Sequence, residues 1–159
     1  MEQKFIRAFG HIFTQNTYEQ DFRHKLIPKE IITCTIFCSR GRAESYDAKT
    51  GERMIDNFAG RMFRSEDFTR PQGYDIYVTE PTVVYCYDEL MNDNRKLNLE
   101  PVDLPQGQDV IFENNTKFLL CEGVLYINNI PFAAPAAISV TTGNKVVIPE
   151  TRCLGLKIV

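Results

Sequence analysis

A chain of 159 residues with 43% hydrophobic, 11% aromatic and 25% charged residues has the composition of a globular protein able to bury a core of its own. Its formal charge of −3 excludes broad, sequence-independent nucleic-acid binding, which needs a strong positive field. No apolar run approaches the roughly 20 residues of a membrane span, and Met1-Glu2-Gln3-Lys4-Phe5 lacks the apolar heart of a secretory signal. The expectation is a cytoplasmic protein, or one incorporated into a virion, with no membrane and no nucleic-acid partner.

Residues 1–30 are the least regular part of the chain. Phe5, Phe9 and Phe13 alternate with Arg7 and His11 as a strand would, but Phe5 and Phe9 would equally share a helix face. These residues are expected to form an N-terminal arm packed along a sheet edge, its own or a neighbour's. The body then begins at residue 31, in a run from Ile31 to Ser39 that is apolar on both faces and so reads as a strand between layers. Ala43 to Tyr46 and Arg53 to Ile55 flank Asp47-Ala48-Lys49-Thr50-Gly51, a hairpin loop by composition. Asn57-Phe58-Ala59-Gly60 makes a corner before Arg61-Met62-Phe63. Tyr74 to Thr79 and Thr82 to Tyr87 are strands parted at Glu80-Pro81, where the missing amide hydrogen of proline does no harm.

Asp88 to Gln108 breaks this rhythm. Asp88-Glu89-Leu90-Met91 suits a short helical turn with acids at its positive end, and Pro101 and Pro105 forbid any long helix beyond it. The stretch reads as an internal connector, residues 88–108. From Lys117 to Val159 short β-rich runs return, punctuated by Gly123, Asn128-Asn129, Pro131, Pro135 and Thr142-Gly143-Asn144. Short strands with turn signals every 8–12 residues, and no long helix, indicate an all-β sandwich or barrel over 31–159 as a single domain.

The residues also carry a family likeness. Lys117 to Asn128, in which Phe118-Leu119-Leu120-Cys121 and Glu122-Gly123 lead into Val124-Leu125-Tyr126-Ile127, resembles the cupin pattern. Gly60-Arg61-Met62-Phe63, followed by Val78 to Tyr85, resembles the glycine corner and strand of cyclic nucleotide-binding domains. Both families share the double-stranded β-helix, so the resemblance implies an all-β jelly roll. It also implies functional residues, and few of them are present. Cupin enzymes hold a metal with clustered histidines, whereas this chain has only His11 and His24, so no metal and no cofactor are expected. His11 reads as a packing residue and His24 as an exposed one. The phosphate turn of the cyclic nucleotide family is replaced by Arg64-Ser65-Glu66-Asp67. Arg70, assisted by Arg61 or Arg64, is the candidate for an anion because a guanidinium fork fits phosphate.

No serine elbow, phosphate-binding loop or zinc-protease motif is present. The five cysteines, Cys34, Cys38, Cys86, Cys121 and Cys153, lie in or beside apolar runs and read as buried thiols. Tyr74, Tyr77, Tyr85, Tyr87 and Tyr126 suit either a cavity lining or a core. The first functional expectation is therefore a non-catalytic structural or interaction subunit, a homo-oligomer or a component of a viral particle or other symmetric assembly. The alternatives are a small-molecule module, for an anionic or nucleotide-like ligand in the jelly-roll cavity, and a metal-free isomerase or epimerase.

Overall fold

The computed structural model describes residues 1–159. Its strands are β1 (Glu2–Ala8), β2 (His11–Tyr18), β3 (Arg23–Leu26), β4 (Cys34–Arg40), β5 (Arg42–Asp47), β6 (Asn57–Phe58), β7 (Met62–Arg64), β8 (Tyr74–Val78) and β9 (Thr82–Asp88). They continue as β10 (Leu99–Leu104), β11 (Val110–Phe112), β12 (Lys117–Glu122), β13 (Val124–Ile127), β14 (Ile130–Ala133), β15 (Ala136–Ser139), β16 (Lys145–Pro149) and β17 (Cys153–Ile158). Only three single-turn 3-10 helices interrupt them. The chain divides into two compact units, Met1–Arg7 with His11–Arg95, and Ala8–Gly10 with Lys96–Val159.

Each unit is an antiparallel sandwich of two sheets. In the first unit the orders are β1-β2-β9-β4-β7 and β3-β8-β5-β6; in the second they are β10-β17-β12-β15 and β11-β16-β13-β14. Adding eight to the strand numbers of β2-β9-β4-β7 and of β3-β8-β5-β6 yields the two sheets of the second unit. The molecule is therefore all-β, as expected, but it runs through the eight-strand jelly-roll topology twice.

Two features expected from the sequence look different in the structure. Residues 1–30 do not stand apart as an arm, because β1 and β2 join one sheet of the first unit and β3 joins the other. The stretch 88–108 is not a simple connector, since it holds the division between the units at Arg95 and then the strand β10. Pro101 sits inside β10, opposite Leu156. That is tolerated because β10 pairs on one side only, so the missing amide hydrogen interrupts no ladder in the sheet. The short helical turn expected after Asp88 is present as Glu89–Asn92, with the Asp88 carboxylate accepting from the Leu90 amide at 3.0 Å.

The interior of the second unit is filled. Leu104, Phe112, Phe118, Leu120, Leu125, Ile127, Ile138, Val140, Val147 and Cys153 form one buried apolar cluster, with Phe112 and Phe118 edge-to-face at 5.1 Å. The absent side chain of Gly155 is part of that packing. A Cβ there would collide with the Phe118 ring and the Leu119 carbonyl.

Candidate functional site

In the first unit the inward residues of the two sheets surround a cavity of about 250 Å³. Strand alternation decides who faces it. Along β9, Thr82, Val84 and Cys86 line the space, while Tyr85 and Tyr87 point to the other face and are buried there. Asn16 and Tyr18 of β2 and Ile36 of β4 complete that wall. Across the space, the cross-strand row His24, Ile76 and Ser45 joins β3, β8 and β5, and the row Val78, Ala43 and Asn57 joins β8, β5 and β6. Ile27, Ile31, Ile55, Phe63 and Phe68 supply further apolar surface, and the exposed Lys25 and Glu30 stand at the rim.

One group of polar side chains gathers around β2, β3 and β9. The imidazole of His24 lies parallel to the Tyr18 ring, centroids 5.3 Å apart at 6°, and Phe22 packs against both. Asn16 accepts from the Gln3 amide at 2.9 Å and turns its own NH2 towards the Cys86 sulfur at 3.9 Å. Burial pushes the Tyr18 hydroxyl up to about 12 and the Cys86 thiol up to about 12, and burial lowers His24. All three effects share one leading cause, the cost of charge in a desolvated site. At neutral pH the cavity therefore presents Tyr18, His24 and Cys86 uncharged. Asn57 adds a different feature: its Oδ1 is the one buried side-chain oxygen or nitrogen without a hydrogen-bond partner.

The residues singled out from sequence fall elsewhere. Arg61 donates to the Asp56 carbonyl at 3.0 Å and lies over the rings of Phe63 and Phe58, at 4.8 and 5.5 Å. Arg70 pairs with Asp47 at 3.3 Å and with Glu52 at 3.5 Å. Arg64 is exposed on β7, its backbone amide donating to Asp67. None of the three lines the cavity.

Asp47 explains the position of Arg70. Its carboxylate is fully buried, accepts from the amides of Lys49 and Thr50 at 2.8 and 2.9 Å, and accepts from Gln72 at 2.8 Å. The Thr50 amide above all, with the Lys49 amide, Gln72 and Arg70, holds Asp47 below the usual carboxylate range. Arg70 thus braces the hairpin loop foreseen at 47–51 against the turn at 70–73.

One sequence reading is corrected here, and one left open is decided. His24, expected to be exposed, is half-buried in the cavity wall. The sequence motif Arg23-His24-Lys25 is charged on both sides of the ring, and strand alternation alone turns His24 inward while Arg23 stacks on Tyr77 on the outside. Of the tyrosines, none of Tyr74, Tyr77, Tyr85, Tyr87 or Tyr126 lines the space; Tyr18, passed over in a polar stretch, does. The period-2 pairing of Asn16 with Tyr18 was the available signal. His11 does pack as expected, edge-on to Tyr87 with its Nδ1 3.2 Å from the hydroxyl.

Comparison with known folds agrees with the architecture. A cupin 2 conserved barrel domain protein from Leptotrichia buccalis superposes with a TM-score of 0.50 over 99% of this chain and 88% of its own, at 10% identity. This chain has a cupin-type jelly-roll fold. YhaK from Escherichia coli aligns with a TM-score of 0.49 at 13% identity, over 99% of this chain and 92% of that one. A regulatory subunit of a cAMP-independent protein kinase A from Trypanosoma cruzi, bound to guanosine, aligns at 0.39 and 12% identity over 92% of this chain and 70% of its own. No protein-family model matches the sequence, and no curated protein matches it. The likeness is one of fold. No group of three or more histidine, cysteine or carboxylate side chains converges as a metal site would require. No helix is long and apolar enough to cross a membrane.

Proposed function

We propose that this protein is a non-catalytic binding module whose first jelly roll encloses a small, uncharged, largely apolar molecule. One observation carries this reading. The first unit keeps a cavity of about 250 Å³ between its sheets. Cavities of roughly 150 Å³ already accept benzene when apolar, and drug-sized ligands need roughly 300 Å³ or more. The space therefore suits a single substituted ring. Its apolar walls favour the ring, while His24, Tyr18, Ser45 and Asn57 offer neutral polar groups around the lining.

Charge argues for a neutral ligand over an anionic one. Arg61, Arg64 and Arg70 lie outside the cavity, and an anion within it would face no inward cation among its buried lining residues. The first expectation from sequence, a structural subunit of a viral particle or other symmetric assembly, draws no support from the proteins of similar fold. The small-molecule alternative fits them better.

The test is a thermal-shift panel of phenols, neutral aromatic amides and indoles, run on the wild type and on Val84→Phe, which fills the cavity. Binding at one hundred times the dissociation constant adds about 2.7 kcal/mol, several degrees in melting temperature. Wild-type shifts that Val84→Phe abolishes are the expected result. No response in the wild type, or equal responses in both, removes the reading.

A second reading rests on a specific pair. A metal-free isomerase needs a proton-transfer pair inside its barrel, and His24 and Tyr18 both stand there. If a panel member that binds is also converted, and His24→Gln abolishes conversion while leaving binding intact, this reading replaces the first.

A further inference from the structure

We propose that β1 is a self-pairing edge through which two copies of this chain join their five-stranded sheets into one continuous sheet. The starting point is that β1 is surplus to the fold. The jelly-roll order needs only β2-β9-β4-β7 in this sheet, and the corresponding sheet of the second unit has no fifth strand. β1 hydrogen-bonds to β2 alone, leaving its other side open.

The remaining edges of the molecule are poor templates. β7, β6 and β11 have three, two and three residues, and β3 and β15 have four each. β10 and β14 carry Pro101 and Pro131. Short strands and prolines are how sheet edges are ordinarily protected. β1 has seven residues and no proline. It also exposes Phe5, at 62% of its surface.

The hydrogen-bond parity of β1 follows from its hairpin. The loop is Phe9-Gly10, both in the left-handed region at φ 56° and 77°, so Ala8 faces His11 as a bonded pair. Counting back by twos, Ile6, Lys4 and Glu2 turn their backbone groups towards β2, and Arg7, Phe5 and Gln3 turn theirs outward. Two contacts agree with this register. Ile12, opposite Arg7, exchanges backbone bonds with the Asn92 side chain on its far side, at 2.8 and 3.0 Å. Gln3 reaches Asn16, its expected cross-strand partner.

A second β1 added antiparallel about a two-fold axis must use these outward groups. The register that does so places Phe5 opposite Phe5 on the axis and Gln3 opposite Arg7 on either side. Lys4 then lies opposite Ile6. No like charges are directly opposed, and Lys4 has Glu2 of its own strand at 3.6 Å. The two exposed phenylalanine rings cover one another. The ladder needs only Gln3 to Arg7, all within the first unit and, Ile6 apart, exposed.

The experiment uses the full chain in sedimentation velocity and, after mild oxidation, on non-reducing gels. The wild type is expected to sediment as a dimer. Phe5→Pro removes one outward N–H at the axis, keeps every β1–β2 bond, and should sediment as a monomer with an unchanged circular dichroism spectrum. Phe5→Cys should cross-link to a covalent dimer, because a bonded cross-strand pair sets its Cα atoms about 5.5 Å apart, within disulfide reach. Lys4→Cys, whose own symmetry mate lies diagonally, should cross-link at least tenfold more slowly. A monomeric wild type at every concentration tested overturns the proposal. So does a Phe5→Pro dimer, or equal cross-linking at positions 4 and 5.

Discussion

The two jelly rolls share a strand order and differ in what their inward residues do. On the strands β2, β3, β5 and β9 the first unit turns Asn16, Tyr18, His24, Ser45 and Thr82 inward and keeps a cavity. On the matching strands β10, β11, β13 and β17 the second unit turns inward Leu104, Phe112, Leu125, Ile127 and Cys153, which close on one another. A filled sandwich of this size maximises buried apolar area, the dominant source of stability in a small unit. A sandwich that leaves a space and lines it with neutral polar groups gives up part of that contact. The comparison gives the second unit the tighter packing and the first the open interior on which the proposed ligand binding rests.

The largest effect that could break this contrast is truncation in the filled unit. Phe118→Ala removes a fully buried ring, and urea unfolding should show a loss of about 3–5 kcal/mol. Ile76→Ala, against the cavity, should fall near the low end of the range for such changes, about 2 kcal/mol, since one side of that residue already lacks neighbours. Equal losses at the two sites would mean that the first unit is as tightly packed as the second.

Enlargement sharpens the same contrast in the opposite sense. Gly155→Ala drives a methyl into Phe118 and the Leu119 carbonyl, and should cost about 1–3 kcal/mol in a urea titration. Val84→Leu extends into open space and should cost less than about 1 kcal/mol while weakening ligand-induced thermal shifts. A stability loss at Val84→Leu as large as that at Gly155→Ala would contradict the cavity.

The first unit also holds a charge that the second unit's apolar cluster lacks. Asp47, kept below its usual range by the Thr50 amide and its other donors, favours folding wherever it is ionised in the native state. Because the folded value lies below the unfolded one, that contribution is complete above about pH 4 and disappears as the pH falls through the folded value. Asp47→Asn should therefore lower the melting temperature by about 5–10 °C at pH 7 and flatten the acid limb between pH 4 and 2. An acid limb as steep as that of the wild type would show that another carboxylate governs it.

The smallest expected effect has an unusual sign. Asn57→Val deletes the unpaired Oδ1, and the ligand-free protein should melt at the same temperature or slightly higher, within about 1 kcal/mol. Ligand-induced shifts should shrink in the same variant. A clear loss of stability in Asn57→Val without ligand would show that the amide serves the fold.

Much of the fold was legible from local chemistry. Left-handed Asn128 and Asn129, the Asp47–Gly51 loop and the alternating run Cys153–Ile158 each mark a turn or strand without reference to anything distant. β10 was not legible. Pro101 argues against a strand unless that residue is known to lie on an edge, and edges exist only once the sheet is assembled. β1 and β2 were hidden for a related reason: alternating aromatics and polar residues suit a strand or a loose arm, and pairing with β9 makes the choice.

By itself the sequence determined the class, the turns and the spacing of strands, because these follow from backbone preferences and period-2 alternation within a few residues. The tertiary structure decided that the jelly roll is built twice, that His24 of one sheet stacks on Tyr18 of the other, and that one interior is open. Those outcomes depend on which strands become neighbours and on how well side chains from distant segments fill the space between two sheets. Neither quantity is a property of any one stretch of chain.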